Sequence, residues 1–249
     1  MEELAELLFA LASVDRLTLF SAIAKERLRL TQLAAKLSAT TQETSRHLSR
    51  LQEAGIVEKG TDGCLLLTPF GRSLLVLLPS LEFLTGHRKY FLTHDISALP
   101  PEFLERIGEL RECERAHGVG EVLAHTSRVF REARSYVWLI SDNVMDLRSL
   151  GGADAAADFT VRAIVPAASI NGASQNVELG KAVQLGLVDK VLAGLALNEK
   201  TAGVLFPDSS GKLDFDSGFA SDDPRFHRWC EDLFMFHWNR ARIASRSGH

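Results

Sequence analysis

A chain of 249 residues, 46% hydrophobic and 24% charged, has an ordinary globular composition and room for two cores. Its net charge of −4 excludes a protein that coats nucleic acid by bulk charge, and Cys64, Cys113 and Cys230 are too few and too far apart for a disulfide framework. The start, Met-Glu-Glu, lacks the basic end and apolar core of a signal peptide, and Pro79, Ser80 and Glu82 break the longest apolar run, so a cytoplasmic protein without a membrane span is expected.

In chain order, Glu2 to Ala12 reads as a helix with Leu4, Leu7, Leu8 and Leu11 at helical spacing, suited either to a partner subunit or to its own core. Val14 to Ala24 is a second apolar-periodic helix, and Thr31 a plausible N-cap for a short helix from Gln32 to Leu37. The next start is written more strongly. Thr40 and Glu43 form a capping box, with Ser38 as a competing N-cap, and Gly55 sits where a left-handed residue ends a helix. Thr44, Leu48 and Leu51 face a core, leaving Thr41, Gln42, Ser45, Arg46, Ser49 and Arg50 on other faces, as suits a helix meeting base edges. Ile56–Glu58 and Cys64–Leu67 read as two strands around Asp62-Gly63, with Lys59 and Thr61 near the tip. Together these elements outline a winged helix-turn-helix. Between Ser13 and Arg72 stand 9 Lys/Arg against 6 acids, so this module is +3 and the remainder −7. A mildly basic module joined to an acidic one fits site-specific DNA binding.

Thr68-Pro69 opens a helix apolar nearly all round through Phe70, Leu74, Leu77, Leu81 and Leu84, expected to be kinked at Pro79 and to form a dimer surface. The stretch HDISALPP, His94 to Pro101, reads as a boundary, giving domains 1–94 and 95–249. The second domain is expected to run as follows: a helix from Glu102 to about His117; a break at Gly118-Val-Gly120; a helix to about Ala133; strands at Tyr136–Ile140 and Phe159–Val165; a helix near Val177–Leu185; strands at Lys190–Leu197 and Ala202–Phe206; a turn at Ser209–Gly211; and a closing helix from Arg225 to about Ala244 behind Asp222-Asp223-Pro224. The fold class is therefore α+β, a winged helix-turn-helix followed by a mixed α/β sensing domain.

No GxSxG, HExxH or P-loop occurs, and the chain is read as lacking the His-x-Lys signature of phospholipase D chemistry. No catalytic residue, metal or cofactor is assigned. His227, Cys230 and Glu231 share a helix face, but without a second ligand pair they read better as part of an aromatic core helix. Ser141 and Asp142 beyond the strand Tyr136–Ile140, with Arg162, Trp138 and Trp229, are candidates for a small-ligand site. Asp142 and Asn143 serve equally well as helix caps, and Arg162 equally well as an acid's partner.

With these residues in view, the chain resembles the archaeal winged-helix regulators named after a methanogenesis and filamentation regulator. The helix-turn-helix stretch SRHLSRLQEAGIV is also similar to the ArsR and MarR type. The further stretches LTPFGRSLLVLLPSLEFL, HRKYFLTHDISALPPEFLERIGEL and GKLDFDSGFASDDPRFHRWCEDLFMFHWNRA extend the resemblance over both domains. The resemblance implies a cytoplasmic, archaeal, DNA-binding transcription regulator, and the apolar helices Glu2 to Ala12 and Phe70 to Leu84 lead to the expectation of a homodimer on double-stranded operator or promoter DNA. The resemblance also implies a C-terminal sensing domain, loosely similar to phospholipase D-like effector domains, for an unidentified small molecule. Alternatives are an enzyme that uses the winged helix only to dimerise, and a regulator whose second domain binds only proteins.

Overall fold

The computed structural model describes residues 1–142, 159–170 and 183–244. The chain divides into two compact units, Met1–Pro79 and Ser80–His249. The division precedes the boundary expected at residue 94 because the segment after Pro79 joins the second core, where Phe83 and Tyr90 are buried against Phe219. No single helix among the described residues is long and apolar enough to cross a membrane.

The first unit runs α1 (Glu2–Leu11), α2 (Val14–Lys25), α3 (Leu30–Leu37), α4 (Thr41–Glu53), β1 (Val57–Lys59) and β2 (Leu65–Leu67), then enters α5 (Pro69–Gly86). Leu19, Phe20, Ile23, Leu33, Leu48 and Leu51 form its centre, closed from the wing side by Ile56, Val57, Leu65 and Leu67. The short helix α3 starts earlier than expected, and Thr31 is not its cap. Leu28 pairs with Leu65, and the Arg29 N–H immediately donates to Gln32 Oε1 at 2.9 Å, so the helix begins at Leu30. Ser38, the competing cap for α4, is instead the left-handed residue that ends α3. Pro69 opens α5 behind Thr68, whose Oγ1 accepts from the Gly71 N–H at 2.9 Å. Pro79 lies inside that helix.

The second unit continues with α6 (Arg88–Phe91), α7 (Pro101–Glu105), a 3-10 turn (Ile107–Leu110), β3 (Glu114–His117), α8 (Val119–Glu132), β4 (Tyr136–Ile140), β5 (Thr160–Pro166), β6 (Val183–Val188), β7 (Gly194–Leu197), β8 (Ala202–Leu205), β9 (Ser217–Ser221), α9 (Pro224–Trp238) and β10 (Arg242–Ile243). Among the described residues the sheet order is β10-β6-β5-β4-β7-β8-β9-β3. Strands β4, β5 and β6 are parallel and all other pairs antiparallel. One face packs on α8 through Val129, Val137, Leu139, Ala163, Val165 and Leu185. The other packs on α9 through Ile140, Ile164, Leu197, Phe226, Trp229 and Phe234. The unit is thus a sheet with helices on both sides.

Several expectations for this unit are corrected. The helix from Glu102 to His117 is broken, because its carbonyls and amides have distant partners. Trp229 Nε1 donates to the Phe103 carbonyl, Ser80 Oγ to that of Glu105, and the Gly108 N–H to Ser80 Oγ. The ladder therefore tightens to a 3-10 turn, and Glu114–His117 leaves to pair with β9. Residues 183–185 of the helix expected near Val177–Leu185 belong to β6, and the rest lies outside the described residues. Residues 190–193 are not strand. The closing helix stops at Trp238, capped at its start by Asp223, and Arg242–Ile243 returns to pair with β6.

His237 on α9 is 5% exposed, and its Nε2 has no hydrogen-bond partner among the described residues. Burial, aided by Arg240, pulls its pKa from 6.5 down to about 4. Between those values the unfolded chain holds a proton that the folded chain does not, so this group's contribution is complete above pH 6.5 and is lost as pH falls towards 4. Urea unfolding at pH 7, 5.5 and 4 should show a loss that includes about 3 kcal/mol from this residue. His237→Phe should lose correspondingly less on acidification; equal slopes for the two proteins would overturn the assignment.

Candidate nucleic-acid interface

Both ends of α4 are fixed by local chemistry. At the start, Thr40 Oγ1 accepts from the Glu43 N–H at 3.2 Å, while Glu43 Oε2 accepts from the Thr40 N–H at 3.0 Å. That backbone donor, with the Thr40 hydroxyl, holds the Glu43 carboxyl below its ordinary pKa. At the other end Gly55 has φ 68°, its N–H donates to Gln52 O, and the Ile56 N–H donates to Leu51 O. This is the Schellman pattern, in which two otherwise orphan carbonyls find donors. The buried stripe is Thr44, Leu48 and Leu51. At 3.6 residues per turn, Gln42, Arg46 and Ser49 point directly away from it, flanked by Ser45 and Arg50, with Thr41 at the edge. All six are exposed.

The reading face is chemically open. Among the described residues no hydrogen bond or ion pair engages the Arg46 guanidinium or the Gln42 amide. Ser49 Oγ donates to the Ser45 carbonyl, leaving its lone pairs outward. Arg50 meets Glu53 at 3.2 Å, an exposed pair that water screens strongly. His47 sits beside the stripe, 3.4 Å from Asp15 on α2.

The wing is a two-stranded ribbon paired Val57↔Leu67, Glu58↔Leu66 and Lys59↔Leu65. Its turn is held by Asp62, whose Oδ1 accepts from the Cys64 N–H and whose Oδ2 meets Arg27 at 3.0 Å. The Cys64 N–H is also the main reason that the Asp62 carboxyl titrates low. Gly63 follows at φ 79°. Lys59 and Thr61 are exposed at this end. Arg27, which the sequence reading did not single out, is therefore a further wing-tip cation.

The five candidate ligand residues of the second unit do not converge. Alternation along β4 separates them, because Trp138 faces α9 whereas Leu139 and Ser141 face α8. Trp229 is fully buried, its indole N–H spent on the Phe103 carbonyl. Arg162 lies over Trp138 and Trp238, 5.8 and 5.2 Å from the ring centroids, and donates to Gln184 Oε1 at 3.1 Å. Trp138 in turn stacks on Phe234 at 4.7 Å. Asp142 Oδ2 accepts from the Leu213 N–H, and its proposed companion Asn143 lies outside the described residues. Ser141, with a neighbouring interaction of its own, lines a cavity under α8 together with His125, Thr126 and Thr201. Those three were missed because α8 was legible as a helix but not which strands it covers.

Two further points concern chemistry. The His-x-Lys triplet read as absent is in fact spelled by His87-Arg88-Lys89. His87 is wedged between Phe83 and Phe219, at ring centroids of 4.9 and 4.8 Å, with Nε2 3.9 Å from Cys113 Sγ. Burial lowers its pKa, and Lys89 is exposed. The ring is half-buried between these two phenylalanines. His227 Nε2 meets the Asn198 carbonyl at 2.6 Å, and Cys230 is buried in the core, its thiol pushed up by desolvation.

Comparison with known proteins matches residues 13–59 to the family described as "Bacterial regulatory protein, arsR family". These residues thus carry a helix-turn-helix domain of that type, and an α+β second unit follows it. No curated protein matches the chain. Among solved structures, TrmBL2, an archaeal chromatin protein with a novel mode of DNA binding, is similar over 92% of this chain and 93% of its own, at 14% identity and a TM-score of 0.43. NucT from Helicobacter pylori is similar over 52% of this chain and 98% of its own, at 10% identity and a TM-score of 0.41. The methyltransferase SibL aligns over 74% of this chain and 62% of its own, at 13% identity and a TM-score of 0.29. At these scores the function is left to the side chains themselves.

Because the start of α4 depends on one hydroxyl, Thr40→Ala should destabilise the first unit by about 1 kcal/mol. Thr40→Ser should retain most of it. Chemical denaturation followed by helix ellipticity checks this, and equal midpoints for wild type and Thr40→Ala would show that the box contributes nothing.

Proposed function

We propose that this protein is a sequence-specific, double-stranded-DNA-binding transcription regulator that works as a homodimer in the cytoplasm and carries a sensing domain in its second unit. The observation that carries the DNA reading is the exposed face of α4. A capped helix packed by Thr44, Leu48 and Leu51 turns Gln42, Arg46 and Ser49 outward, and among the described residues no hydrogen bond or ion pair engages the side chains of Gln42 and Arg46. An amide and a guanidinium are the groups that read adenine and guanine edges in the major groove. Lys59, Thr61 and Arg27 at the wing tip suit phosphate.

The test is binding to the DNA upstream of the protein's own gene, followed by fluorescence anisotropy at several salt concentrations. If Arg46 reads a base, Arg46→Ala should weaken specific binding by about 1–3 kcal/mol and relax preference at one position. If it meets phosphate, affinity should fall evenly over sequences and the salt slope should shrink by about one. Unchanged binding would remove α4 from the interface.

The dimer reading is supported by apolar side chains without cover. Leu4, Leu8 and Phe9 on α1 are 47%, 54% and 71% exposed, and Phe70, Val76 and Leu77 on α5 are 48%, 76% and 61% exposed. A two-fold pair would set recognition helices about 34 Å apart, one turn of DNA or a multiple of it. Mass measurement in solution should give a dimer at micromolar concentration, and Leu8→Glu with Leu77→Glu should give monomer with weakened DNA binding. A wild-type monomer that binds operator tightly would sink the dimer.

A second reading for the second unit, a domain that binds only proteins, is favoured by the closed packing of Trp229 and by Arg162 lying over Trp138 and Trp238. Those residues leave little room for a small molecule on the α9 side.

A further inference from the structure

We propose that the hollow between α8 and the sheet is the effector site of the second unit, and that its ligand enters with a compact apolar group of about three carbon atoms. This rests on the regulator reading above. The hollow follows from register. Ladder partners share a face, so Leu139, Ala196, Gly203 and Ala220 form one row beneath α8. Gly194, Leu205, Gly218 and Ala116 form the next. Above them α8 turns down Val122, His125, Thr126 and Val129, one helical stripe.

Where the floor is alanine and glycine it does not reach the side chains of the roof, and a cavity of about 70 Å³ is left. Well-packed interiors hold few voids larger than a water molecule, and an unfilled one costs stability in proportion to its volume. An apolar cavity of ~150 Å³ takes benzene, so roughly half that volume suits about three carbons. Val122, Val129, Leu139 and Leu205 supply apolar walls, while Leu195, Val204 and Phe219 line the floor through their backbone only, their side chains facing the other way. Of the polar lining groups, His125 and Thr126 stand together on α8, with Ser141 and Thr201 at opposite strand ends. Thr126 Oγ1 donates to the Val122 carbonyl and keeps its lone pairs, and no hydrogen bond or ion pair engages the half-buried His125 among the described residues. A ligand with a branched alkyl end among the valines and leucines and one hydrogen-bonding end set towards His125 and Thr126 matches these groups.

The floor provides its own control. A Cβ built on Gly203 meets nothing nearer than the Phe219 carbonyl at 3.5 Å, so Gly203→Val fills the hollow without forcing the strand. The experiment uses the full chain, xenon as an apolar probe and isobutanol as a short branched probe. Wild type should give a saturable 129Xe shift that falls at least about fivefold in Gly203→Val, while that variant melts no lower than wild type. Isobutanol should change wild-type operator affinity by at least about fivefold and leave Gly203→Val unaffected. No saturable xenon shift in wild type, or an equal shift in both proteins, overturns the site. Xenon binding lost in the variant, with operator affinity indifferent to isobutanol, overturns the effector assignment and leaves a packing void. Absence of any operator binding overturns the regulator reading and the effector role with it, while the xenon comparison still decides whether the hollow accepts an apolar guest.

Discussion

The arrangement of the first unit hangs on the side chain of Thr68. Its hydroxyl donates to the Gly55 carbonyl at 2.6 Å, with Ile56 O at 3.3 Å, and accepts from the Gly71 N–H. One residue therefore ties the end of α4 to the end of the wing and the start of α5. Nothing larger than glycine fits next to it, since a Cβ on residue 71 would stand 2.2 Å from the Ile56 carbonyl oxygen. The Schellman turn at Gly55 directs the chain into β1, Thr68 anchors the return, and the reading face of α4 is fixed relative to Lys59 and Thr61 by these few bonds.

What was legible in the sequence was what is decided locally. The capping box, the left-handed Gly55, the Asp62-Gly63 turn and the Thr68-Pro69 start each concern residues within a few positions of one another, and all are found where the pattern put them. The helix from Glu102 failed for the opposite reason. Its periodicity was sound, but Trp229 and Ser80, remote in sequence, took the carbonyls that would have continued it. Strands β3 and β10 are short and polar and exist only through their partners, β9 and β6.

The candidate ligand residues show a subtler limit. The position of Ser141 and Asp142 at a strand end was legible, and so was the alternation that sends Trp138 and Ser141 to opposite faces. The sequence did not show that each face has its own helix, so Ser141 was credited with the same pocket as Trp138, Arg162 and Trp229. The α9 face is filled by large rings, from Phe226 to Trp238, and its packing is close enough that a Cβ on Gly186 would lie 2.9 Å from that of Ala241. Over β7, β8 and β9 the α8 face has the contrary composition, floored largely by alanine and glycine. One sheet thus separates a saturated side from an unsaturated one.

The glycines of that floor are not equivalent. A Cβ at Gly194 would fall 2.6 Å from Leu205 Cδ1, and at Gly218 3.1 Å from the Val204 carbonyl, whereas Gly203 is unobstructed. Descendants of this chain can therefore rescale the hollow by one codon at position 203, methyl by methyl, with the strands undisturbed. The neighbouring glycines are held by the backbone and side chains around them. A lineage adapting to a bulkier or slimmer guest has a single inexpensive dial, and divergence among relatives should concentrate there while positions 194 and 218 stay fixed.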